Sequence, residues 1–286
     1  MTPVTSMTPP VTAQQRDVLV VIGAGGLGTA IAERLGSGRT VLLADHDPVA
    51  LELASRRLTG TGHDVVAQPV DVAEAGDVRR LAQVAGDLGP VRQIACTAGV
   101  SPEHASVEEI LRVDLLGTAL VLEAFLAVVA PGGAAVVVAS MAGHLATHQM
   151  TPDQELALAL VPAGELLAMS CTQPAVFLDG PAAYGFATRA SAIRVRAAAL
   201  QWAARGARVN AISPGIVATP AAGRTPAGEY DAIVAKLVSE APAGRTGTPH
   251  DVAHAAEFLL DPGSSYITGV DLLVDGGTMA AVRTGA

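Results

Sequence analysis

The sequence predicts an α/β fold built on a doubly wound parallel sheet. Seven short apolar segments, rich in valine and isoleucine, alternate with helical patterns along most of the chain. Most of these segments lack polar residues at alternate positions, which is typical of strands buried on both faces of a parallel sheet. Strands and helices that alternate in this way predict right-handed crossovers, with helices on both sides of the sheet.

The strands are expected at 18–22, 40–44, 65–67, 93–96, 134–139, 208–212 and 270–274. The helices are expected at 27–35, 49–58, 74–88, 107–129, 184–204, 227–240 and 249–260. No fixed-period repeat and no interdomain linker interrupts them, so residues 17–286 are predicted to form one domain. Residues 1–16 are rich in threonine and proline and are predicted to be a disordered tail.

One long segment interrupts the alternation, because no strand is predicted between Ser140 and Tyr184. Within it, Thr151-Pro152-Asp153-Gln154 has the pattern of a capping box with proline at the first helical position, and Pro162 ends that helix. We expect a helical insertion over about residues 144–180. It is expected to pack against the body of the domain, since its leucines are too many to leave in water. These leucines are Leu156, Leu158, Leu160 and Leu166.

Composition and charge exclude several classes of function. The net charge of −9 argues against nucleic-acid binding, which needs clustered lysine and arginine. Cys96 and Cys171 cannot build a disulfide framework, which favours a cytoplasmic protein. The N-terminus lacks the basic and apolar regions of a signal peptide. Glu123 and Pro131-Gly132-Gly133 divide the most apolar stretch, 115–139, into a helix and a strand, so no membrane span is predicted.

A glycine-rich turn, Gly23-Ala-Gly-Gly-Leu-Gly28, joins the first predicted strand to the first helix and matches the dinucleotide fingerprint G-x-G-x-x-G. Its glycines permit a tight turn, a close approach of backbone amides to a pyrophosphate, and close packing of helix on strand. Asp45 ends the next strand, where a carboxylate binds ribose hydroxyls and repels a 2′-phosphate. This context favours a Rossmann-type NAD site over a purely structural turn or a site for S-adenosylmethionine. The residues expected to bind the cofactor here are Gly23, Gly25, Gly26, Leu27, Gly28 and Asp45.

Further motifs follow in a characteristic order. They are Asp71-Val72, Thr97-Ala98-Gly99, Ser140, Tyr184, Arg208-Val-Asn-Ala-Ile-Ser-Pro-Gly215, Val217-Ala-Thr219 and Leu273-Val-Asp-Gly-Gly277. Their order resembles that of the short-chain dehydrogenase/reductase family over about residues 18–277. The insertion before the tyrosine resembles the 3α-hydroxysteroid dehydrogenase/carbonyl reductase subgroup, in which such a segment alters the subunit interface and stands beside the substrate cleft.

The resemblance implies NAD(P)-linked interconversion of a secondary alcohol and a ketone, with a small, steroid-like or otherwise hydrophobic substrate and no metal. Tyr184 would be the general acid/base, and Ser140 would donate a hydrogen bond to the same substrate oxygen. Asp71 and Val72 would hold adenine. The remaining cofactor contacts would come from Thr97, Ala98, Gly99, Tyr184, Pro214, Gly215, Val217 and Thr219. The assembly is expected to be a homodimer.

The chain departs from the family pattern at three places. The usual glycine motif, G-x-x-x-G-x-G, is one residue shorter here. Asp114 stands where the family has an asparagine, and an ionised aspartate cannot donate a hydrogen bond as an amide does. Thr188 replaces the lysine of Tyr-x-x-x-Lys, and the alignment needs no gap because Asn210 follows Tyr184 by 26 residues as in the family. A catalytically weak or silent relative that binds the dinucleotide as a sensor or scaffold is therefore the alternative function.

Several candidate residues also have structural interpretations. Tyr184 could be a core aromatic at a helix start, and Ser140 could cap a turn. The pairs His144/His148 and His250/His254 have helical spacing, but two histidines do not complete a zinc site. A solvated helix face is expected for Arg194, Arg196 and Arg205, and Cys96 is expected to be a buried, unreactive thiol.

Overall fold

The computed structural model describes residues 15–145, 150–218 and 229–285. Within these ranges, seven parallel strands form one sheet in the order β3-β2-β1-β4-β5-β6-β7. The strands are β1 (Val18–Ile22), β2 (Thr40–Asp45), β3 (Asp64–Pro69), β4 (Val91–Cys96), β5 (Val129–Val138), β6 (Arg208–Pro214) and β7 (Asp271–Val274). The doubly wound parallel sheet that the sequence predicts is thereby confirmed. The chain order reverses between β1 and β4, which is where open sheets of this type bind ligands.

Most predicted helices begin and end within four residues of their expected bounds, and the start predicted at residue 227 lies outside the described residues. The α-helices are α1 (Gly26–Leu35), α2 (Pro48–Gly60), α3 (Ala75–Leu88), α4 (Val107–Ile110), α5 (Thr118–Leu126), α6 (Ala142–Leu145), α7 (Pro152–Leu160), α8 (Gly180–Ala204), α9 (Glu229–Glu240), α10 (Pro249–Leu260) and α11 (Thr278–Thr284). The single helix predicted over 107–129 is wrong in one respect, because a π-helical segment, Leu111–Gly117, separates α4 from α5. Helices α6 and α11 were not predicted, since neither exceeds seven residues.

The sheet is covered by helices on both faces. Val20 and Leu42 lie in one apolar cluster with Phe125 and Trp202, whereas the alternate strand residues Leu19 and Val21 pack on the other face in a second cluster. The edge strand β3 is only partly buried, so continuous burial holds for the central strands. None of the described helices is long and apolar enough to span a membrane.

The predicted N-terminal tail and the predicted insertion each include residues that the structure does not describe. The last residues of the predicted tail, Gln15 and Arg16, contact the Leu88 carbonyl and the Asp64 carboxylate. Residues 1–14 lie outside the described residues. In the insertion, Thr151 and Gln154 form the predicted capping box at the start of α7, and the helix ends at Leu160.

The insertion packs on α8 and on the π-helical segment through a third apolar cluster. Leu158 and Leu166 are fully buried in this cluster, as predicted. The expected burial is wrong for Leu156 and Leu160, which are 60% and 67% exposed. These two leucines lie on the outward face of α7, because positions 156 and 160 are four residues apart and share a face that position 158 does not.

Arg194 is not part of a solvated helix face as the sequence predicts, although Arg196 and Arg205 are exposed. The Arg194 guanidinium is buried beneath the insertion, where Nη1 donates to the carbonyl oxygens of Leu158 and Val161 at 2.8 and 2.9 Å. These carbonyls belong to the C-terminal end of α7, where backbone acceptors lack partners within the helix. Arg194 therefore fastens the insertion to α8.

Arg194→Met is expected to lower the free energy of unfolding by about 2–4 kcal/mol, because it leaves buried carbonyl oxygens without a donor. The neighbouring substitution Arg196→Met removes the same charge from an exposed position and should change stability by less than about 0.5 kcal/mol. Urea denaturation of both variants checks this. Equal effects of the two substitutions would show that the Arg194 contacts do not hold the insertion.

Candidate active site

The glycine-rich turn lies between β1 and α1, at the carboxyl end of the sheet. Gly23 has a φ of +106°, and a Cβ there would lie 2.5 Å from Thr97 Oγ1. A Cβ at Gly28 would overlap the carbonyl oxygen of Gly23, so both positions require glycine for close packing. Gly25 is different: it is exposed, it precedes α1 without a side-chain cap, and a Cβ there would meet open space. The N-terminus of α1 is therefore open to an anionic group, as a pyrophosphate site requires.

Asp45 lies at the end of β2 and orders the glycine-rich turn. Its Oδ2 accepts the backbone N–H of Ala24 at 2.6 Å, and its Oδ1 accepts that of Asp47 at 2.9 Å. His46 Nδ1 lies 3.2 Å from Oδ1. The carboxylate thus stands beside the turn, which is the position that a ribose-binding acid needs.

The loops after β3 and β4 complete this side of the site. Asp71 Oδ1 accepts the N–H of Ala73 at 2.9 Å, and Val72 is buried against Gly117 of the π-helical segment. After β4, the Thr97 hydroxyl donates to the carbonyls of Ile22 and Gly23, both at 3.1 Å. Thr97 thereby connects the loop containing Ala98 and Gly99 to the glycine-rich turn.

Burial raises the pKa of the Cys96 thiol to about 12, and the Ala98 backbone hydrogen bond opposes this shift. This agrees with the expected buried, unreactive thiol, because the thiolate is the reactive form of cysteine.

The segment that follows Ser140 packs on α8 through α6. Ser140 Oγ follows β5 and accepts the N–H of Ala142 at 3.1 Å, so in this bond the hydroxyl hydrogen is not used. Gly143 lies so close to α8 that a Cβ would be 2.8 Å from the Arg189 nitrogen and 3.2 Å from Thr188 Oγ1. The segment that begins at Ser140 therefore contacts α8 one turn beyond Tyr184, which is half-buried against the third apolar cluster.

Thr188 is buried and brings no charge to the site. Its hydroxyl donates to the carbonyl of Tyr184 at 2.8 Å, within its own helix. Arg189 does not take the place of the missing lysine, because its guanidinium pairs with Glu155 of the insertion. This agrees with the expectation from helix geometry that adjacent positions point about 100° apart.

Asp114 lies in the π-helical segment beside the loop after β4. Its backbone carbonyl accepts the Ser191 hydroxyl at 2.7 Å, which joins the segment to α8. Burial raises the pKa of the Asp114 carboxyl well above its usual range; the N–H of Val100 opposes the shift and the charge of Glu109 adds to it.

At the other end of the site, β6 and β7 end together. Gly215 packs directly on Asp275, where a Cβ would lie 2.7 Å from the Asp275 Cα. Val217 bridges to Gly247 just beyond Pro214 and Gly215. Thr219, also expected to contact the cofactor, lies outside the described residues.

A cluster of three polar residues that the sequence did not predict includes His144, in the segment that follows Ser140. His144 Nε2 is 2.9 Å from Asp271 Oδ2, and the Ser213 hydroxyl donates to Asp271 Oδ1 at 2.7 Å. These three residues contact through Asp271 rather than through the histidine, so they lack the order of a nucleophilic triad, in which histidine bridges serine and aspartate. The pair instead fastens α6 to β7. In the sequence, His144 is distinguished only by its helical spacing with His148, which lies outside the described residues.

Known proteins are similar to this chain over most of its length. Residues 17–152 match a family model described as short chain dehydrogenase, and residues 153–279 match one described as Enoyl-(Acyl carrier protein) reductase. The short-chain dehydrogenase/reductase bsc3 of Alternaria brassicicola is 37% identical over 93% of this chain and 96% of its own length. The 3-alpha-hydroxysteroid dehydrogenase/carbonyl reductase of Comamonas testosteroni is 29% identical over 79% of this chain and 91% of its own length.

Solved structures show the same fold. A short-chain dehydrogenase/reductase from Serratia marcescens superimposes with a TM-score of 0.71 at 23% identity, over 92% of this chain and 98% of that one. Short-chain dehydrogenases/reductases use a nicotinamide dinucleotide and act on alcohols and ketones. The chain belongs to the short-chain dehydrogenase/reductase family of oxidoreductases.

Proposed function

We propose that this protein is an NAD-dependent oxidoreductase that interconverts a hydrophobic secondary alcohol and its ketone. The observation that supports the proposal is the contact of Gly143 with Thr188 and Arg189, through which the segment after Ser140 meets α8 one turn beyond Tyr184. Ser140 follows the carboxyl end of β5 and Tyr184 lies near the start of α8, which supports a site on the side where the open N-terminus of α1 would accept a pyrophosphate.

In this proposal the residues that hold the cofactor are those of the glycine-rich turn, Asp45, and the loops after β3, β4 and β6. The bound nicotinamide supplies or accepts a hydride. Tyr184 moves the proton of the substrate oxygen, and the Ser140 hydroxyl donates a hydrogen bond to that oxygen. Thr188, whose hydroxyl is bonded to the Tyr184 carbonyl, supports the helix but contributes no charge.

The hydrophobic character of the substrate is supported by the surroundings of Tyr184. The third apolar cluster contains Phe177 and Phe186, whose ring centroids are 5.1 Å apart, and Leu166 of the insertion. A relative named for 3-alpha-hydroxysteroids has 29% identity with this chain. A cyclic or polycyclic alcohol is therefore the substrate class that we propose.

The second candidate function is that of a catalytically silent relative that binds the dinucleotide. It is favoured by the presence of the uncharged Thr188 where the family has a lysine. Turnover on a panel of cyclic ketones, measured beside NADH binding by fluorescence, separates the two. Binding together with turnover of at least one ketone is expected. Binding without turnover across the panel would favour the sensor or scaffold.

The proposal also includes a homodimeric assembly and a cytoplasmic location. Size-exclusion chromatography tests the homodimer, and fractionation of cells tests the location.

We expect NADH to bind more tightly than NADPH by about 1–3 kcal/mol, because the Asp45 carboxylate would repel a 2′-phosphate. Asp45→Asn should narrow this difference, since it removes the charge but keeps the shape. Asp87→Asn, which removes an exposed carboxylate on α3, serves as the control and should leave the difference unchanged. Dissociation constants of both nucleotides are the measurement. Equal or tighter binding of NADPH by the wild type would contradict the assignment.

A further inference from the structure

The environment of the Asp114 carboxyl group suits a neutral acid better than an ionised carboxylate. Asp114 is 7% exposed, and within the described residues its Oδ2 is buried without a hydrogen-bond partner. The other contacts of the carboxyl are with the loop after β4. The N–H of Val100 donates to it, and a Cβ at Gly99 would lie 2.7 Å from Oδ1.

No ion pair reaches Asp114 in the described part of the chain, although charged residues surround it. On its own segment, Arg112 pairs with Glu74 at 3.0 Å. On α8, Arg189 pairs with Glu155, and Arg194 binds carbonyls of the insertion. Of the remaining cations on these elements, Arg196 on α8 is exposed and Arg92 on β4 pairs with Asp17. Tyr184 is the other ionisable group on α8, and the rest are acids and a thiol. They are Glu108 and Glu109 on α4, Glu123 on α5, Glu165 in the 3₁₀ helix of the insertion, and Cys96 at the end of β4.

We propose that Asp114 is a protonated, neutral carboxylic acid at neutral pH and that it positions the Gly99–Val100 loop in this form. An ionised carboxylate here would have one oxygen with neither a donor nor solvent, which is far more costly than burying a neutral acid. The pKa shift of this carboxyl has the same direction, with burial as its largest cause.

Protonation changes what Asp114 can do. A neutral acid carries one O–H donor and keeps an acceptor oxygen, so it offers the same two kinds of group as the amide of asparagine. The acceptor function is used by Val100, whose loop also contains the Gly99 that we assign to the cofactor. The loop's contact with a cofactor rests on the proposed function, whereas the protonation state of Asp114 does not.

The protonation state is tested by urea unfolding of the cofactor-free wild type and Asp114→Asn between pH 5 and pH 7. Unfolded aspartate, with a pKa of about 3.9, is ionised throughout this range, while folded Asp114 keeps its proton. The unfolded state then binds fewer protons, so wild-type stability must fall as the pH rises. Relative to Asp114→Asn, the unfolding equilibrium constant of the wild type should rise about tenfold per pH unit, or about 1.4 kcal/mol.

Asp87→Asn is the matched control, because Asp87 is exposed, and its pH dependence should follow that of the wild type. Parallel curves for the wild type and Asp114→Asn would overturn the proposal. A second measurement does not depend on the variant folding. The infrared spectrum of the wild type at pH 7 should contain the C=O stretch of a protonated carboxylic acid, and its absence would also overturn the proposal. Neither result depends on NADH binding, so a failure of the proposed function remains distinguishable.

Discussion

Tyr184→Phe is expected to lower the rate of alcohol oxidation by about 10²–10⁴-fold, which is the usual contribution of a general acid or base. The substitution removes only the phenolic oxygen and keeps the ring that packs against the third apolar cluster. Fold and NADH affinity should therefore be preserved. The steady-state rate, NADH binding and thermal stability of the variant are the quantities to compare with the wild type.

Tyr266→Phe provides a control for this result. Tyr266 is fully exposed after α10, so removing its hydroxyl should leave activity unchanged. If Tyr184→Phe retains most of the wild-type rate, the tyrosine is a packing residue and the proton is moved by another group. If it loses activity only together with stability, its role is structural.

Thr188→Lys is expected to raise the rate near neutral pH and to move the pH optimum of alcohol oxidation downward. An unassisted phenol has a pKa of about 10, so a tyrosine without a nearby cation works best in alkaline solution. An ammonium group one helical turn away from Tyr184 would favour the phenolate. A shift of one pKa unit corresponds to about 1.4 kcal/mol, or about tenfold in the ionised fraction below the pKa.

The effect of the lysine's size must be distinguished from the effect of its charge, because Thr188 is buried and Gly143 lies close to its hydroxyl. Thr188→Met has a similar length without charge and should not shift the pH–rate profile. Both profiles are measured on one accepted alcohol. If Thr188→Lys leaves rate and profile unchanged while Tyr184→Phe abolishes turnover, then a group other than residue 188 tunes the tyrosine.

The sheet and the glycine-rich turn could be predicted because their signals are local. Apolar strands such as Val18–Ile22 repeat between helical patterns, and a turn that brings Gly28 against Gly23 permits no side chain. The capping box of α7 was equally local, since Thr151 and Gln154 are three residues apart. Such features depend on residues that are close in the sequence, so a local pattern is enough to predict them.

Other features depend on partners that are distant in sequence, and these the sequence did not reveal. Arg194 has the spacing of an exposed arginine, but the insertion covers it and supplies its acceptors. His144 and Asp271 meet only because β7 lies next to β6. Asp114 is buried in the π-helical segment, where its carboxyl group lies against Gly99 of the loop after β4.

Hydride transfer between a secondary alcohol and NAD is the reaction on which the proposed function depends. It is tested most directly by incubating the protein with NAD and cyclic secondary alcohols deuterated at the carbinol carbon, then analysing the dinucleotide by mass spectrometry. A single turnover leaves a label, so even the slow reaction expected without a lysine at position 188 is detected. We expect one deuterium in the reduced dinucleotide for at least one alcohol, and little label with Tyr184→Phe. NAD that binds the wild type but acquires no deuterium from any alcohol would contradict it.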